Sequence, residues 1–159
     1  HYQRDDARSC VVFGMTTEHY AGPDGQKSLL VVAEVSENGE YFKLFAPMAY
    51  KVEGKNLDPF LRTCMIIQWM TKLVQFEYDS TDGEIRPIIE FPIEDGSLTA
   101  KQLGRSVGGL VQLIEQYSEE LHAALEQGVV LDQQTMMIDQ LEALLERLKR
   151  DRKPPPEKL

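Results

Sequence analysis

The sequence predicts a single α+β domain, an antiparallel β-sheet with helices packed on it, its elements ordered strand, strand, strand, helix, strand, strand, helix, helix. Three observations carry this. Asn38-Gly39 and Asp82-Gly83 each lie between apolar runs, and such dipeptides mark hairpins because they tolerate positive φ. The stretch from Leu57 to about Thr71 is apolar over most of a helical circumference. From Leu103 onward, apolar residues return every three or four positions as a continuous stripe. With 159 residues, 42% of them hydrophobic, the chain can build one core that buries roughly 70% of its unfolded surface.

The strands come first. Ser9 to Met15 is a short apolar run closed by the turn-rich Ala21-Gly22-Pro23-Asp24-Gly25. Ser28 to Ser36 is apolar on both faces at its centre, as an interior strand requires. Asn38-Gly39 then turns the chain into Tyr41 to Ala46, giving a three-stranded meander. After the first helix, Val74, Phe76 and Tyr78 alternate with Gln75, Glu77 and Asp79, and Ile85 to Ile93 returns across Asp82-Gly83. Pro87 and Pro92 lack a ladder donor, which places that return strand at a sheet edge along at least part of its length.

The helices carry their own punctuation. Asn56 is placed to cap the first, and Pro59 falls in its first turn, where a missing N–H costs nothing. Its polar residues Asp58, Arg62, Gln68 and Lys72 share one narrow stripe, so the rest must be covered on more than one side. Thr99 with Gln102 is a capping box for a long helix striped by Leu103, Val107, Leu110, Ile114, Tyr117, Leu121 and Leu125, and Gly128 ends it. Gly104, Gly108 and Gly109 inside that helix predict close packing on the sheet, since no strand feeds them as a phosphate loop requires. Asp132 caps a final helix striped by Met137, Leu141, Leu144 and Leu148, spaced like a coiled-coil seam two heptads long. The expected arrangement is one domain over 1–150, its last helices forming a hairpin through Gly128 to Leu131, followed by a Pro-rich tail over 151–159.

Charge and composition narrow the function. The net charge of −9 repels phosphate backbones, so nucleic acid and anionic membrane are not expected partners. Only near the C-terminus do cations gather, at Arg147, Lys149, Arg150, Arg152 and Lys153, where a helix dipole favours them or a partner's acidic surface could meet them. No apolar run is long enough to span a bilayer, and no charged-then-apolar leader is readable. Two cysteines, Cys10 and Cys64, make no disulfide framework and suit a reducing cytoplasm.

Candidates for chemistry are few. His1, His19 and His122 stand at no metal-ligand spacing from one another or from a cysteine, so no metal and no cofactor is expected. Glu77, Asp79, Asp82, Glu84 and Glu90 cluster at the second hairpin, and a small enzyme using two of them as acid and base is one alternative. No nucleophile, base and orienting group assemble around them, and solvated edge carboxylates are the simpler reading.

The run Gln75-Phe-Glu-Tyr-Asp, Asp82-Gly-Glu-Ile and Glu90-Phe-Pro-Ile-Glu-Asp-Gly-Ser-Leu-Thr99 resembles the YbjN family, whose fold is similar to type III secretion chaperones. The resemblance covers about residues 28–127. It implies a cytoplasmic, non-enzymatic role in binding or regulating proteins, often as a dimer, and brings no catalytic residues with it. This chain departs from the family in opening with a strand rather than a helix and in adding a last helix and a Pro-rich tail.

The expectation is therefore a chaperone-like adaptor that binds a segment of another protein, with a structural subunit docking through the last helix as an alternative. A homodimer is expected from the nearly all-round apolar first helix. The expected partner or dimer surface comprises Leu61, Met65, Trp69, Met137, Leu141, Leu144, Leu148, Arg150 and Arg152.

Overall fold

Alternating strands joined by tight turns build one sheet, as a computed structural model describing residues 2–151 shows. Its seven antiparallel strands are β1 (Tyr2–Asp5), β2 (Cys10–Thr16), β3 (Ser28–Ser36), β4 (Tyr41–Phe45), β5 (Tyr50–Lys51), β6 (Gln75–Tyr78) and β7 (Glu84–Pro92). Helix α1 (Leu57–Met70) precedes β6, and α2 (Ala100–Gln116), α3 (Ser118–Gln127) and α4 (Gln133–Asp151) follow β7. The lateral order is β1-β2-β3-β4-β7-β5, with β6 also pairing with β7, so both hairpins share one sheet.

Each turn dipeptide sits where the chain reverses. Ser36 pairs with Tyr41, leaving a four-residue loop in which Glu37, Asn38 and Gly39 all have positive φ. Tyr78 pairs with Ile85, and the turn between them closes through Asp79 N to Glu84 O at 2.8 Å and Gly83 N to Asp79 O at 2.9 Å. Gly83 is required there twice over: its φ is +80°, and a Cβ would stand 2.9 Å from Val52 O.

Two strands lie outside the sequence expectation. β1 has the polar sequence Tyr-Gln-Arg-Asp and is joined to β2 by a turn in which the Asp5 carboxylate accepts from Ala7 N and Arg8 N. β5 is two residues long, and its Tyr50 pairs with Ile85. The edge expectation holds for Pro92, since β7 has only β4 beside it from Ile89 onward. It fails for Pro87, which lies opposite Phe76 of β6 while its carbonyl accepts from Ala46 N at 3.1 Å on the other side.

Leu29, Val31, Phe42, Leu44, Ile85 and Ile89 pack against α1, α2 and α3 and form the core with Phe60, Ile67, Leu110, Ile114 and Leu121. Burying each such side chain contributes roughly 1.5–3 kcal/mol, the largest favourable entry in the fold. On the other face Phe45 pairs with the buried Ile88, and the Arg86 guanidinium sits 4.7 Å from the Phe45 ring centre.

The helical stripe from Leu103 to Leu125 is buried or half-buried along its length. The backbone leaves helical geometry at Tyr117, however (φ −106°, ψ 17°), dividing the expected long helix into α2 and α3. The capping box forms, with Gln102 N to Thr99 Oγ1 at 3.2 Å and Thr99 N to Gln102 Oε1 at 2.8 Å. Asn56 does not cap α1. Its own backbone is helical, and its amide donates instead to Leu125 O at 2.9 Å and Glu126 O at 3.2 Å, closing the end of α3. The close-packing expectation for Gly104, Gly108 and Gly109 fails as well, because a Cβ at any of them would meet nothing within 4 Å.

Glu115 of α2 holds the β2–β3 loop. Its carboxylate accepts from Glu18 N at 2.8 Å, His19 N at 3.0 Å and Tyr20 N at 3.0 Å. Burial pushes this carboxyl up, but the backbone bonds from Tyr20, Glu18 and His19, with the His19 charge, outweigh it and hold its pKa below the ordinary value.

Two outcomes follow for stability. Gly108→Ala raises it by about 0.5–1 kcal/mol, because helix propensity improves and nothing is crowded; chemical denaturation measures this. Glu115→Ala lowers stability at neutral pH by about 1–3 kcal/mol through the lost charge-assisted bonds. A carboxyl depressed in the folded state stabilises above its unfolded pKa and loses that contribution as pH falls through the folded value. The difference between wild type and variant in a pH series of melts therefore shrinks on acidification.

Candidate protein-binding surfaces

Helix α1 presents three sides, and the described residues cover two of them. Phe60, Cys64 and Ile67 face the core and are fully buried. Toward α3 and the segment after it, Asn56 grips the α3 carbonyls, and the buried Thr63 hydroxyl accepts from Leu131 N at 3.1 Å. The third side carries Met65 and Trp69, which are 50% and 81% exposed. Leu73, four residues beyond Trp69, continues it at 58% exposure. Leu61 is half-buried against the core and does not belong to this open face.

Leu73 holds its outward position at a cost. Its φ of +74° is a left-handed conformation that disfavours a leucine by about 1–2 kcal/mol, and Val74 N closes the turn on Lys72 O at 2.9 Å. The spacing 65, 69, 73 is legible in the sequence, but Leu73 lies past the helix end, where helical spacing stops being a guide. A second apolar groove, of about 470 Å³, is lined by Tyr2, Val11, Phe13, Gly14 and Met15 at the β1–β2 end of the sheet. Four of these five lie in the apolar run the sequence shows over 9–15, but nothing local marks Tyr2 of polar β1 as their neighbour.

The last helix does not form the expected hairpin with α2 and α3. Leu131 and Met136 pack against the core, and the Asp132 carboxylate accepts from Gln134 N at 3.0 Å to start α4. Beyond Met136 the helix leaves the body: Met137, Ile138, Leu141, Leu144, Leu145 and Leu148 are all between 50% and 58% exposed. Lys149 pairs with Glu146 at 2.8 Å, and Arg150 is exposed in the last turn, where the helix dipole favours cations. Arg152, Lys153 and Pro154 to Pro156 lie outside the described residues.

Glu77, Asp79 and Glu84 line an open cleft of about 440 Å³ with Arg86, and each hairpin carboxylate holds its own local contact. Glu77 pairs with Arg86 at 2.8 Å, Glu84 accepts from Met48 N at 2.7 Å, Asp82 from Glu84 N at 3.0 Å, and Glu90 lies 3.7 Å from Lys43. Asp79 accepts from the Thr81 hydroxyl and backbone N–H, which lower its pKa. None of these contacts joins one carboxylate to another. His122 Nδ1 is 3.0 Å from Ser118 O, within its own helix. Among the described residues no group of three or more His, Cys, Asp and Glu side chains could hold a metal ion, and no helix is long and apolar enough to cross a membrane. Cys10 and Cys64 are free and buried, and burial raises the Cys64 thiol pKa, away from a reactive thiolate.

No family model matches the chain, and neither does any curated protein. Among solved structures the chain is similar to one from the heterodimeric complex ExoU-SpcU of the type III secretion system of Pseudomonas aeruginosa. The identity is 18%, over 72% of this chain and 84% of that one, with a TM-score of 0.44.

Because Trp69 is the only tryptophan and stands in water, its fluorescence reports this face alone. Acrylamide quenches it nearly as well as free tryptophan, and Trp69→Ala changes folding stability by less than about 0.5 kcal/mol. Quenching and denaturant melts of the two proteins check both.

Proposed function

We propose that the protein is a non-enzymatic adaptor with chaperone-like action, and that the α1 face of Met65, Trp69 and Leu73 receives a segment of another protein. The observation that carries this is Trp69, 81% exposed on a helix whose other sides are locked into the core. A rigid helix with an aromatic anchor is how protein interfaces concentrate their energy, and a neighbouring methionine adapts to varied side chains. Leu73, kept outward against its backbone preference, supports the same reading, since strain of this kind gathers at working surfaces. Arg62, Lys72 and one carboxylate, Asp58, are exposed on this side, a local excess of positive charge on a chain that is acidic as a whole. The preferred segment is therefore apolar with acidic residues beside it. Such an adaptor suits a reducing cytoplasm, where Cys10 and Cys64 remain thiols.

The test begins with the partner that co-purifies with the native protein. Its segment is titrated against the full chain, with Trp69 fluorescence as readout for the wild type and calorimetry for the variants. Trp69→Ala weakens binding by roughly 30-fold or more, the effect of losing a hot spot of about 2 kcal/mol, without changing the melting temperature. Unchanged affinity would remove α1 from this reading. Binding lost instead on substitution of Leu141 would transfer the role to α4.

A further inference from the structure

We infer that α4 is a self-association element, pairing antiparallel with α4 of a second copy of the chain. The inference does not depend on what α1 binds. Six apolar side chains, Met137, Ile138, Leu141, Leu144, Leu145 and Leu148, run along one side of this helix and are half exposed, and the described part of the chain leaves them open. Most of a helix's stability in a protein comes from packing its amphipathic face rather than from propensity, so the stripe calls for a matching surface.

The spacing of the stripe selects a second copy as that surface. The seam positions 137, 141, 144 and 148 are separated by four, three and four residues, a pattern that reads the same in reverse. Antiparallel pairing therefore brings Met137 opposite Leu148 and Leu141 opposite Leu144 in every layer. It also sets Ile138 against Leu145 along one flank, so that all six apolar residues are used. A parallel pair would instead place Ile138 and Leu145 against the polar positions 133 and 140.

Charge favours the same direction. Every charged residue from Asp132 to Glu146 is acidic, and every one from Arg147 to Arg150 is basic. Antiparallel pairing lays the basic end of one helix along the acidic start of the other, whereas parallel pairing would stack two basic ends. Antiparallel pairing also keeps the two domain bodies at opposite ends of the helix pair, because each body joins its own α4 at the N-terminal end.

The experiment uses the full chain. Sedimentation equilibrium at tens of micromolar is expected to give twice the monomer mass of 18.1 kDa. Leu141→Glu combined with Leu144→Glu leaves only the monomer and does not change the melting temperature of the body, whereas Trp69→Ala leaves the dimer intact. A spin label at Arg150→Cys reports direction, since the two native cysteines are buried. Antiparallel pairing separates the two labels by about 20 Å along the axis, from the 1.5 Å rise per residue, while parallel pairing holds them about 10 Å apart across it. A monomeric unsubstituted chain, a dimer that survives the double substitution, a dimer lost with Trp69→Ala, or the short label distance would each overturn the proposal.

Discussion

The structure depends on a helix whose apolar sides are filled by its own chain, so that two large apolar side chains, Met65 and Trp69, are left on its polar side. Helix α1 packs Phe60, Cys64 and Ile67 into the core and fastens its neighbouring side through Asn56 and Thr63 to the end of α3 and the turn after it. These polar ties matter because a buried hydroxyl or amide without a partner would cost about 1–3 kcal/mol. Once both sides are occupied, Met65 and Trp69 have nowhere in the chain to go. The open face is thus a direct result of how firmly the helix is seated, and that seating makes it a fixed platform.

The same economy explains why the acidic hairpin holds together. Its carboxylates are spent on turn N–H groups, on Arg86 and on Lys43, so the turn and the β6–β7 edge keep their geometry. The exposed β6 edge is guarded in a related way: the Gln68 side chain of α1 accepts from Phe76 N at 3.2 Å, occupying a donor that another strand could otherwise use. Glu115 does for the β2–β3 loop what a capping residue does for a helix, gathering three backbone N–H groups onto one side chain.

Much of this was legible in the sequence, for identifiable reasons. Alternation and the Asn-Gly and Asp-Gly turns marked the strands β2, β3, β4, β6 and β7, and the helical stripe from Leu103 to Leu125 lies where spacing put it. What escaped has no local signature. β1 is polar because it is an edge, and β5 is too short for a period. Asn56 has the chemistry of a cap, but its target is the end of α3, nearly seventy residues away, and only the tertiary structure decides between the two. At the candidate surface, Met65 and Trp69 were readable and Leu61 was overcounted, because a helical wheel does not show which apolar side meets the sheet. The hairpin expected of α4 failed for the same kind of reason: Leu131 and Met136 take the core position that the later leucines were expected to fill.

The apolar surfaces of α1 and α4 therefore differ in kind. The α1 face is small, centred on one aromatic and bordered by cations, which suits an unlike partner of limited length. The α4 stripe is long, aliphatic and self-complementary in spacing and charge, which suits a copy of itself. They also lie on separate elements, so occupying one need not cover the other. An antiparallel helix pair would carry one α1 platform on each body, and a partner presenting two segments would meet the second at a raised effective concentration. Avidity of that kind raises affinity by linking sites and requires no larger contact at either one, which is how a small face such as that of Trp69 could hold a chain firmly and still release it one segment at a time.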